Sequence, residues 1–473
     1  MSGMMSLQQA LQHLPGAALC GDRQTVFNRV HTDTRSVEPG DLFVALKGER
    51  YDANEFLAEA KAKGAVAAIC HSQALLAKAG LPGLVTVDTK QALGLLAASW
   101  RAAFKLPLIA VTGSNGKTTV TQMIAAILRA WRPDAMLATQ GNFNNDIGVP
   151  LTLLRLRAAH EIAVIELGMN HPGEIAQLAA IAKPTVALVN NAQREHLEFM
   201  ATVEAVAREN GSVIASLPAH GVAVFPVQDG HTPLWQALAG SRAQLTFGIA
   251  PGQAPGAPAD IQCAQPVWAG GAWRIHASTP AGALAFELGV AGLHNVKNAL
   301  AAVACTLAAG VPLAQIAQGL AAFVPVKGRS RATTGAINGH AYTLVDDTYN
   351  ANPDSVRAAI EVLASLPGPR VLVLGDMGEV GEQGLQFHSE AGAYARQLGI
   401  ETLLTLGDLS AAASARFGAG RHMPDMAGMQ AAVLAVLPTT ASILVKGSRF
   451  MKMERVVEAI SAQAENQPEA PCS

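Results

Sequence analysis

The sequence VTGSNGKTT at residues 111–119 decides how the centre of this chain folds. It follows the apolar run LPLIAV at residues 106–111 and precedes the helical pattern VTQMIAAIL at residues 120–128. This order predicts a strand, a tight glycine loop and a helix. Gly113 and Gly116 permit the turn, so that N–H groups face into the loop beside the partial positive charge of a helix N-terminus.

The loop residues are those of a shortened phosphate-binding loop. Only Ser114 and Asn115 separate the two glycines, where the usual motif has four residues. Lys117 can reach the β- and γ-phosphates of a nucleotide, and Thr118 can place its hydroxyl on Mg²⁺. An ordinary glycine turn before a helix is the alternative. The apolar run before the loop and the helical pattern after it favour the phosphate loop.

Similar strand–helix units follow along the chain. The apolar runs LIAVTG, IAVIELG and TVALVN begin at residues 108, 162 and 185, and each leads into a helical segment. Near-continuous apolar strands of this kind indicate a parallel sheet covered on both faces. The pattern restarts after Lys327 with TLVDDTYN, RVLVLGDMG, TLLTLG and SILVKGS, which we interpret as a separate α/β domain.

Two regions differ from these units. Residues 1–85 mix short β-like runs with the helical pattern NEFLAEAKAKG. Residues 226–285 are rich in glycine and proline, which predicts turns and short antiparallel strands appended to the central domain. We therefore predict an α/β protein of three domains: a small mixed N-terminal domain at 1–85, a central parallel-sheet domain with the phosphate loop at 86–325, and a Rossmann-like C-terminal domain at 326–473.

The composition excludes several classes of protein. Half of the 473 residues are hydrophobic and 15% are charged, so the chain can build real cores. The net charge of −2 offers no basic surplus for nucleic acid. The longest apolar stretch, residues 299–313, is too short to span a membrane, and no export signal is visible, so we expect a cytoplasmic protein. The cysteines form no CxxC pair, which fits a reducing compartment: Cys20, Cys70, Cys263, Cys305 and Cys472.

Two polar residues at strand ends extend the predicted site. Glu166 ends the run IAVIE, and His196 lies in AQREHLEFM just beyond TVALVNN. Ligand sites in parallel sheets lie at the carboxyl ends of the strands, so we expect Thr118, Glu166 and His196 at one edge. Carboxylate oxygens suit Mg²⁺, and we predict these three residues as metal ligands. The simpler alternatives are that Glu166 is only a charged residue at a strand end and that His196 is only a packed histidine.

Longer motifs resemble those of the Mur ligases, and within that family they are most similar to the ligases that add D-alanyl-D-alanine. The resemblance covers nearly the whole chain and implies three domains: one for a UDP-sugar, a central ATPase and a mobile C-terminal domain. It is carried by TDTRSVEPGDLFVALKGERYDANEF (32–56), TGSNGKTT (112–119), TQGNFNNDIGVPLTLL (139–154), IELGMNHPGEIAQL (165–178), HNVKNALAA (294–302), DDTYNANPDS (346–355) and LVKGSRFMKME (444–454).

The resemblance implies a reaction. ATP phosphorylates the C-terminal carboxylate of UDP-MurNAc-tripeptide, and the amine of D-alanyl-D-alanine attacks the acyl phosphate to give an amide, ADP and phosphate. Such chemistry requires positive charge and positioning rather than a protein nucleophile. Lys117, with Mg²⁺ on Thr118 and Glu166, would serve the phosphates, and His196 with Glu166 would hold a second Mg²⁺. We expect ATP and Mg²⁺ as cofactors and a monomeric protein.

Motif positions imply the remaining site residues. The ATP-binding set is Gly113, Ser114, Asn115, Gly116, Lys117, Thr118, Thr119, His294, Asn295, Arg329 and Asp347. The substrate set is Thr34, Arg35, Ser36, Lys47, Asn142, Asn145, Asn350, Lys446 and Arg449, of which the last two could receive the dipeptide's carboxylate. A helix cap is the alternative for His294 and Asn295, and an Asx-rich turn is the alternative for the loop after Asp347. Asp376, Glu379 and His388 also match the family's motifs, but the residues themselves do not indicate a role for these three positions.

One position departs from the family. Many Mur ligases carry a carbamoylated lysine that helps to hold the second Mg²⁺, and the pattern VAxxxG places Asn210 there. An asparagine amide cannot take up CO₂, so the negative charge has to come from another residue. Glu195, beside His196, and Glu209, beside Asn210, are the two candidates.

Two other functions are kept as alternatives. A sibling ligase that adds a diamino acid or glutamate, or a folylpolyglutamate synthase, would share the ligase chemistry. A nucleotide switch would share only the phosphate loop, and a GTPase-type switch should carry an NKxD motif, which this sequence lacks. The residues do not indicate which diamino acid stands third in the tripeptide.

Overall fold

The computed structural model describes residues 3–48, 51–250, 258–269, 271–337 and 339–465. Within these residues, three large sheets of five, ten and six strands succeed one another along the chain. Each sheet falls inside one of the three predicted ranges, while the domain boundaries themselves stay a prediction. Residues 251–257, which lie within the glycine- and proline-rich region 226–285, and Cys472 lie outside the described residues.

The N-terminal region is a mixed sheet with helices on both faces. Its strands are β1 Met5–Ser6, β2 Ala18–Cys20, β3 Val26–Phe27, β4 Arg29–His31, β5 Asp41–Val44, β6 Ala67–Cys70 and β7 Gly83–Val85. Its helices are α1 Leu7–Leu11, α2 Leu57–Ala62, α3 Gln73–Ala79 and α4 Thr89–Ala102. The sheet order is β2-β7-β6-β5-β4, with only β2 antiparallel, and β1 pairs separately with β3.

The central region is a ten-stranded sheet whose middle is parallel. Its strands are β8 Leu108–Thr112, β9 Met136–Ala138, β10 Ile162–Glu166, β11 Val186–Val189, β12 Val222–Pro226, β13 Ala243–Ile249, β14 Ile261–Cys263, β15 Val267–Ala269, β16 Ala272–Thr279 and β17 Gly282–Leu288. Its helices are α5 Lys117–Trp131, α6 Gly148–Leu153, α7 Glu174–Ala182, α8 Leu197–Met200, α9 Val203–Ala215, α10 Thr232–Ala239, α11 Leu293–Ala308 and α12 Leu313–Ala321. The order is β15-β16-β14-β13-β12-β11-β8-β10-β9, and β17 pairs with β16.

The structure corrects the prediction for residues 226–285. Strands β13 and β14 continue the parallel sheet, and only β15, β16 and β17 are antiparallel. The helix α10 was not predicted, because its sequence TPLWQALA is short and contains Pro233. Proline is tolerated in the first turn of a helix, and the buried Trp235 fixes this helix by donating from Nε1 to the carbonyl of Ala207 at 3.0 Å.

Apolar side chains fill both faces of the central sheet. One face packs against α5, α11 and α12, and the other packs against α4, α6, α7 and α9. The second of these cores also includes N-terminal residues such as Leu7 and Leu42. The N-terminal sheet and the central sheet are therefore joined by a shared apolar core through α4.

The C-terminal region is a six-stranded sheet between two layers of helices. Its strands are β18 Arg331–Ile337, β19 His340–Asp347, β20 Arg370–Gly375, β21 Thr402–Leu406, β22 Arg421–Met423 and β23 Ser442–Lys446. Its helices are α13 Pro353–Ala364, α14 Gly384–Gln397, α15 Ala411–Phe417, α16 Met426–Val436 and α17 Glu454–Glu465. The order is β18-β19-β23-β20-β21-β22, parallel except for the edge strand β18, which the sequence pattern did not predict.

Two further sequence expectations can be compared with this fold. None of the helices in the described ranges has both the length and the apolar character that crossing a membrane requires. The cysteines that fall in those ranges, Cys20, Cys70, Cys263 and Cys305, form no disulfide.

Close packing of α12 on α5 can be tested at Gly319. A Cβ atom at this position would lie 2.3 Å from the Cα atom of Ile127, so an added methyl group meets backbone that cannot rotate away. Alanine favours a helix over glycine by about 1 kcal/mol, but overpacking costs about 1–3 kcal/mol. We expect Gly319→Ala to lower the midpoint of thermal unfolding by about 2–4 °C. Gly289→Ala, at an exposed position with no atom within 4 Å, is the matched control and should not lower it. Equal midpoints for both variants would contradict this packing.

Candidate active site

The predicted phosphate loop lies between β8 and α5, and its two glycines are required by its geometry. Gly113 has φ +130° and Gly116 has φ +82°, a region that side chains rarely allow. A Cβ on Gly116 would lie 2.5 Å from Oδ1 of Asn298 and 2.7 Å from Nδ2 of Asn190. Neither position can therefore carry another residue without movement of the neighbouring chain.

Asparagine side chains hold the loop from outside. Oδ1 of Asn210 accepts hydrogen bonds from the Thr112 hydroxyl at 2.6 Å and from the Gly113 N–H at 3.0 Å. Asn191 accepts from the Asn115 N–H at 2.8 Å and donates to the Asn115 carbonyl at 2.9 Å. The Ser114 N–H donates to the Asn191 carbonyl at 3.1 Å, so the loop N–H groups at 113, 114 and 115 are already bound, contrary to expectation. A ligand is left mainly with the donors at the start of α5.

Lys117 lies folded over the loop. Its Nζ donates to the carbonyls of Gly113 and Ser114 at 2.6 and 3.0 Å, and to Oε1 of Glu195 at 2.8 Å. An ammonium group has three donors, and all three are used here. To reach a phosphate, the lysine has to exchange one of these partners for a phosphate oxygen.

Thr118 and Glu166 are in contact, as predicted for two ligands of one metal ion. The Thr118 hydroxyl donates to Oε1 of Glu166 at 3.0 Å, and Nδ2 of Asn144 donates to the same oxygen at 2.8 Å. The other oxygen, Oε2, is buried and has no hydrogen-bond partner among the residues described. A buried carboxylate oxygen without a donor suits a cation. We had not singled out Asn144, although it lies in the quoted motif GNFNNDIG.

His196 does not join this pair. Its Nε2 lies 3.6 Å from Oε1 of Glu195, and its Nδ1 lies 2.5 Å from Oε2 of Glu379 in the C-terminal region. The close contact with His196 keeps the pKa of Glu379 below its usual value, although burial opposes this. Across the described ranges, no cluster of three or more His, Cys, Asp or Glu is close enough to hold a metal ion. The structure therefore assembles only part of the predicted metal set.

Asn210, at the position where many Mur ligases carry a carbamoylated lysine, has a structural role here. Asn210 is buried and supports the phosphate loop, whereas Glu209 points to another helix. Both Glu209 carboxylate oxygens accept hydrogen bonds at 2.8 Å, from the N–H groups of Gly173 and Ile175 at the start of α7. The structure therefore favours Glu195 over Glu209, because both Glu209 oxygens already bind the start of α7. Glu195 contacts Lys117, and its buried Oε2 has no hydrogen-bond partner among the described residues.

The C-terminal wall of the site is built around an ion pair. Oδ2 of Asp347 lies 2.6 Å from Nζ of Lys446, and Oδ1 accepts from the Ser330 N–H at 3.0 Å. Burial opposes ionisation of Asp347, but Lys446 and the hydrogen bonds outweigh it and keep the pKa of this carboxyl below its usual value. Lys446 also donates to the carbonyl of Asn350 at 2.8 Å and is almost fully buried. Lys446 is therefore not the free cation that we expected to receive the dipeptide's carboxylate.

Two arginines on this wall are accessible. The Arg329 guanidinium lies 4.0 Å from the centre of the Tyr349 ring, in cation–π contact. Arg449 is exposed, and its Nη1 lies 3.0 Å from Oε1 of Glu454. Both side chains border the site, with donors that a ligand can reach.

The structure bears on the alternatives for His294 and Asn295 and for the DDTYNANPDS loop. Helix α11 begins after Gly292 without a side-chain cap, so the helix-cap alternative is wrong for His294 and Asn295. Burial lowers the pKa of His294. Asn352 does cap a helix: its Oδ1 accepts from the Ser355 N–H at the start of α13. Its Nδ2 also donates to Oδ1 of Asn115 at 2.9 Å, which brings the C-terminal region onto the phosphate loop.

One cavity of about 970 Å³ connects both walls. It is lined by most of the predicted residues: Ser114, Asn115, Gly116, Lys117, Thr118, Thr119, Asn142, Asn145, Glu166, His196, His294, Asn295, Arg329, Asp347, Asn350, Lys446 and Arg449. The four predicted N-terminal residues are not part of this lining. Thr34, Arg35 and Ser36 form an exposed turn in which Arg35 pairs with Asp33 at 2.6 Å, and Lys47 lies 3.7 Å from Asp52. The roles of all these residues stay predictions.

Two family-matching residues without a predicted role are structural. The buried His388 accepts from the Met377 N–H at Nε2, and its Nδ1 lies 2.7 Å from the Gly384 carbonyl. Asp376 accepts from the N–H groups of Leu409 and Ser410. Both residues fix the loop after β20, and this loop carries Glu379 to His196.

Family models match the chain in all three regions. The Mur ligase family catalytic domain matches residues 26–101, the Mur ligase middle domain residues 111–306, and the Mur ligase glutamate ligase domain residues 328–449. The chain belongs to the Mur ligase family.

Its relatives within the family carry a more specific name. The UDP-N-acetylmuramoyl-tripeptide–D-alanyl-D-alanine ligase of Escherichia coli (strain K12) is 41% identical over 91% of this chain and 93% of its own length. The crystal structure of MurF from Acinetobacter baumannii matches with a TM-score of 0.88 at 35% identity, covering 98% of this chain and 99% of that one. MurF ligase from Thermotoga maritima in complex with ADP matches with a TM-score of 0.79 at 26% identity, covering 93% and 98%. These similarities confirm the resemblance and the three-domain α/β fold.

The position of Glu209 generates a stability prediction. Replacing Glu209 by alanine removes the acceptor of two N–H groups at the start of α7, and loss of such a cap costs about 1 kcal/mol. We expect Glu209→Ala to lower the free energy of unfolding by this amount in a urea titration. Glu204→Ala, which removes an exposed partner of Arg208 on the same helix, should cost less than about 0.5 kcal/mol. A Glu209→Ala variant as stable as the control would show that this contact does not form.

Proposed function

We propose that this protein is an ATP-dependent ligase that joins D-alanyl-D-alanine to the C-terminal carboxylate of UDP-MurNAc-tripeptide, giving UDP-MurNAc-pentapeptide, ADP and phosphate. One observation carries the proposal: a single cavity has the phosphate loop on one wall and the side chains Arg329, Asp347 and Lys446 of a second domain on the other. The name of the Escherichia coli relative supports the choice of substrates.

The residues fit the charge that the reaction has to accommodate. Transfer of a phosphoryl group to a carboxylate brings two anions together, so the protein has to supply positive charge at fixed positions. The N-terminus of α5 and Lys117 would bind the β- and γ-phosphates from below, and Arg329 would approach from the C-terminal domain. Closure of the two walls would exclude water, from which an acyl phosphate needs protection.

Mg²⁺ belongs to this proposal as well. The Thr118 hydroxyl and the unpartnered Oε2 of Glu166 would hold it, and bound Mg²⁺ would neutralise charge on the phosphate oxygens. Glu195, with His196 beside it, would serve a second ion on the other side of the loop. Glu195 also keeps Lys117 oriented, since its Oε1 lies 2.8 Å from Nζ.

The substrate is long enough to contact more than one domain. We assign its uridine diphosphate end to the exposed turn with Thr34, Arg35 and Ser36, and its peptide carboxylate to the cavity. The dipeptide's carboxylate would be received by Arg449, because Lys446 is engaged by Asp347. We also propose that the protein acts as a monomer in the cytoplasm.

The alternatives are separated by one assay. ADP release should require both UDP-MurNAc-tripeptide and D-alanyl-D-alanine, with the pentapeptide product identified by mass. A nucleotide switch would release ADP without either substrate. A sibling ligase or a folylpolyglutamate synthase would accept a free amino acid in place of the dipeptide. Either result would reject the proposal.

Lys117→Ala tests the phosphate loop. Its ammonium group acts on charge at the phosphates, so its removal should lower the rate of ligation by more than about 100-fold. The circular dichroism spectrum should not change, because the side chain contributes little packing. Lys105→Ala, at an exposed lysine just before β8, is the control and should keep full activity. A loss of less than about tenfold in Lys117→Ala would remove the assignment.

Glu195→Gln tests the source of negative charge that replaces a carbamate. We expect the wild-type rate to be unchanged when bicarbonate and CO₂ are removed, since Asn210 cannot be carbamoylated. Glu195→Gln should raise the Mg²⁺ concentration needed for half-maximal rate by about tenfold, whereas Glu209→Gln should leave it unchanged. Loss of turnover without CO₂, or an unchanged Mg²⁺ requirement in Glu195→Gln, would refute this assignment.

A further inference from the structure

A short segment after β11 contacts both walls of the cavity. We call residues 193–196 the bridging segment. Gln193 and Glu195 face the phosphate loop: Oε1 of Gln193 accepts from Nδ2 of Asn115 at 2.6 Å, and Glu195 binds Lys117. The alternate residues, Arg194 and His196, face the C-terminal domain. Along the bridging segment, residues that contact the phosphate loop therefore alternate with residues that contact the C-terminal domain.

Arg194 makes the most extensive of these interdomain contacts. Its Nη2 donates to Oδ1 of Asp354 at 2.7 Å, its Nε lies 3.2 Å from both carboxylate oxygens, and its Nη1 donates to Glu390 at 3.2 Å. The guanidinium also lies 5.2 Å from the centre of the Phe387 ring. Asp354 stands in the first turn of α13, two residues after Asn352, which binds the phosphate loop.

The backbone of the bridging segment takes part in the same interaction. The N–H of Arg194 donates to Oδ2 of Asp354 at 2.8 Å. Asp354 thus fixes the main chain between Gln193 and Glu195, in addition to the arginine side chain. Leu197, the residue directly after the bridging segment, packs against the apolar core of the C-terminal domain. Docking of the domain and the position of the Glu195 carboxylate therefore share the contact between Arg194 and Asp354.

We propose that Arg194 is a positioning residue: its ion pair with Asp354 docks the C-terminal domain on the bridging segment and so holds Glu195 and Lys117 in place. The side chains are only 29% and 22% exposed. Fork-shaped contacts between arginine and carboxylate, shielded in this way, are stronger than exposed ion pairs. The docking function stands on geometry alone, while its effect on ligation rests on the proposed function.

Three variants test the pair: Arg194→Met, Asp354→Asn and the double variant. The control is Arg208→Met, which removes an arginine whose guanidinium binds Glu204 at 2.7 Å within the same helix. The radius of gyration is measured by small-angle scattering, and kcat and KM for ATP are measured separately. Thermal unfolding of each variant reports on folding. Arg194→Lys, which keeps the charge but loses the fork, is the conservative variant.

We expect both single variants to increase the radius of gyration, to lower kcat by about tenfold and to raise KM for ATP, because Arg329 and Asp347 move away with the C-terminal domain. The double variant should resemble each single one, because both substitutions remove the same interaction. Arg194→Lys should recover part of the loss. None of these changes should appear in Arg208→Met.

Other results would overturn the proposal. One is a radius of gyration and a kcat in Arg194→Met equal to those of Arg208→Met. Another is a double variant in which the two losses multiply, which would show that the residues act separately. If the wild-type protein ligates no UDP-MurNAc-peptide, the proposed function fails, and the scattering series still decides whether the ion pair docks the domain.

Discussion

The shape of the loop at residues 113–116 is the constraint on which the rest of the site depends. A loop that receives phosphate groups needs its backbone fixed without adding anionic groups of its own, because fixed donors cost no reorganisation when the ligand arrives. Here neutral amides do this: Asn190, Asn191, Asn210 and Asn298 surround the glycines. They come from the end of β11, from α9 and from α11, so the loop has its shape only when the whole central sheet has assembled.

The same constraint explains how charge is distributed around the cavity. Lys117 is held by two loop carbonyls and Glu195, and Lys446 is held by Asp347 and a carbonyl. A buried cation is costly without a partner, so each of these lysines lies against a carboxylate. Each wall therefore carries its own balanced pair. In the proposed function, the phosphates of a nucleotide would compete with these carboxylates for the two lysines, and Mg²⁺ would offset the negative charge that the nucleotide adds.

The two walls belong to separate sheets, and their relative position is set by polar contacts more than by a common core. The N-terminal and central sheets share an apolar core through α4, whereas the C-terminal sheet has cores of its own on both faces. Between the central and C-terminal regions lie directional contacts, such as Asn115 with Asn352 and Arg194 with Asp354. Polar contacts of this kind can be broken and formed again as substrates enter and products leave, which a shared apolar core would not permit.

By itself, the sequence determined the three-part α/β organisation, the strand–loop–helix that carries Lys117, and the contact of Thr118 with Glu166, because apolar periodicity and glycine spacing are local properties of the chain. Only the tertiary structure decided which groups are left free for a ligand. Glu209 binds the N-terminus of a helix, and Lys446 binds Asp347. His196 lies beside Glu379 and not beside Glu166. These outcomes depend on side chains from distant segments that compete for the same partners. The spacing of apolar residues along the sequence does not show which partner each side chain binds.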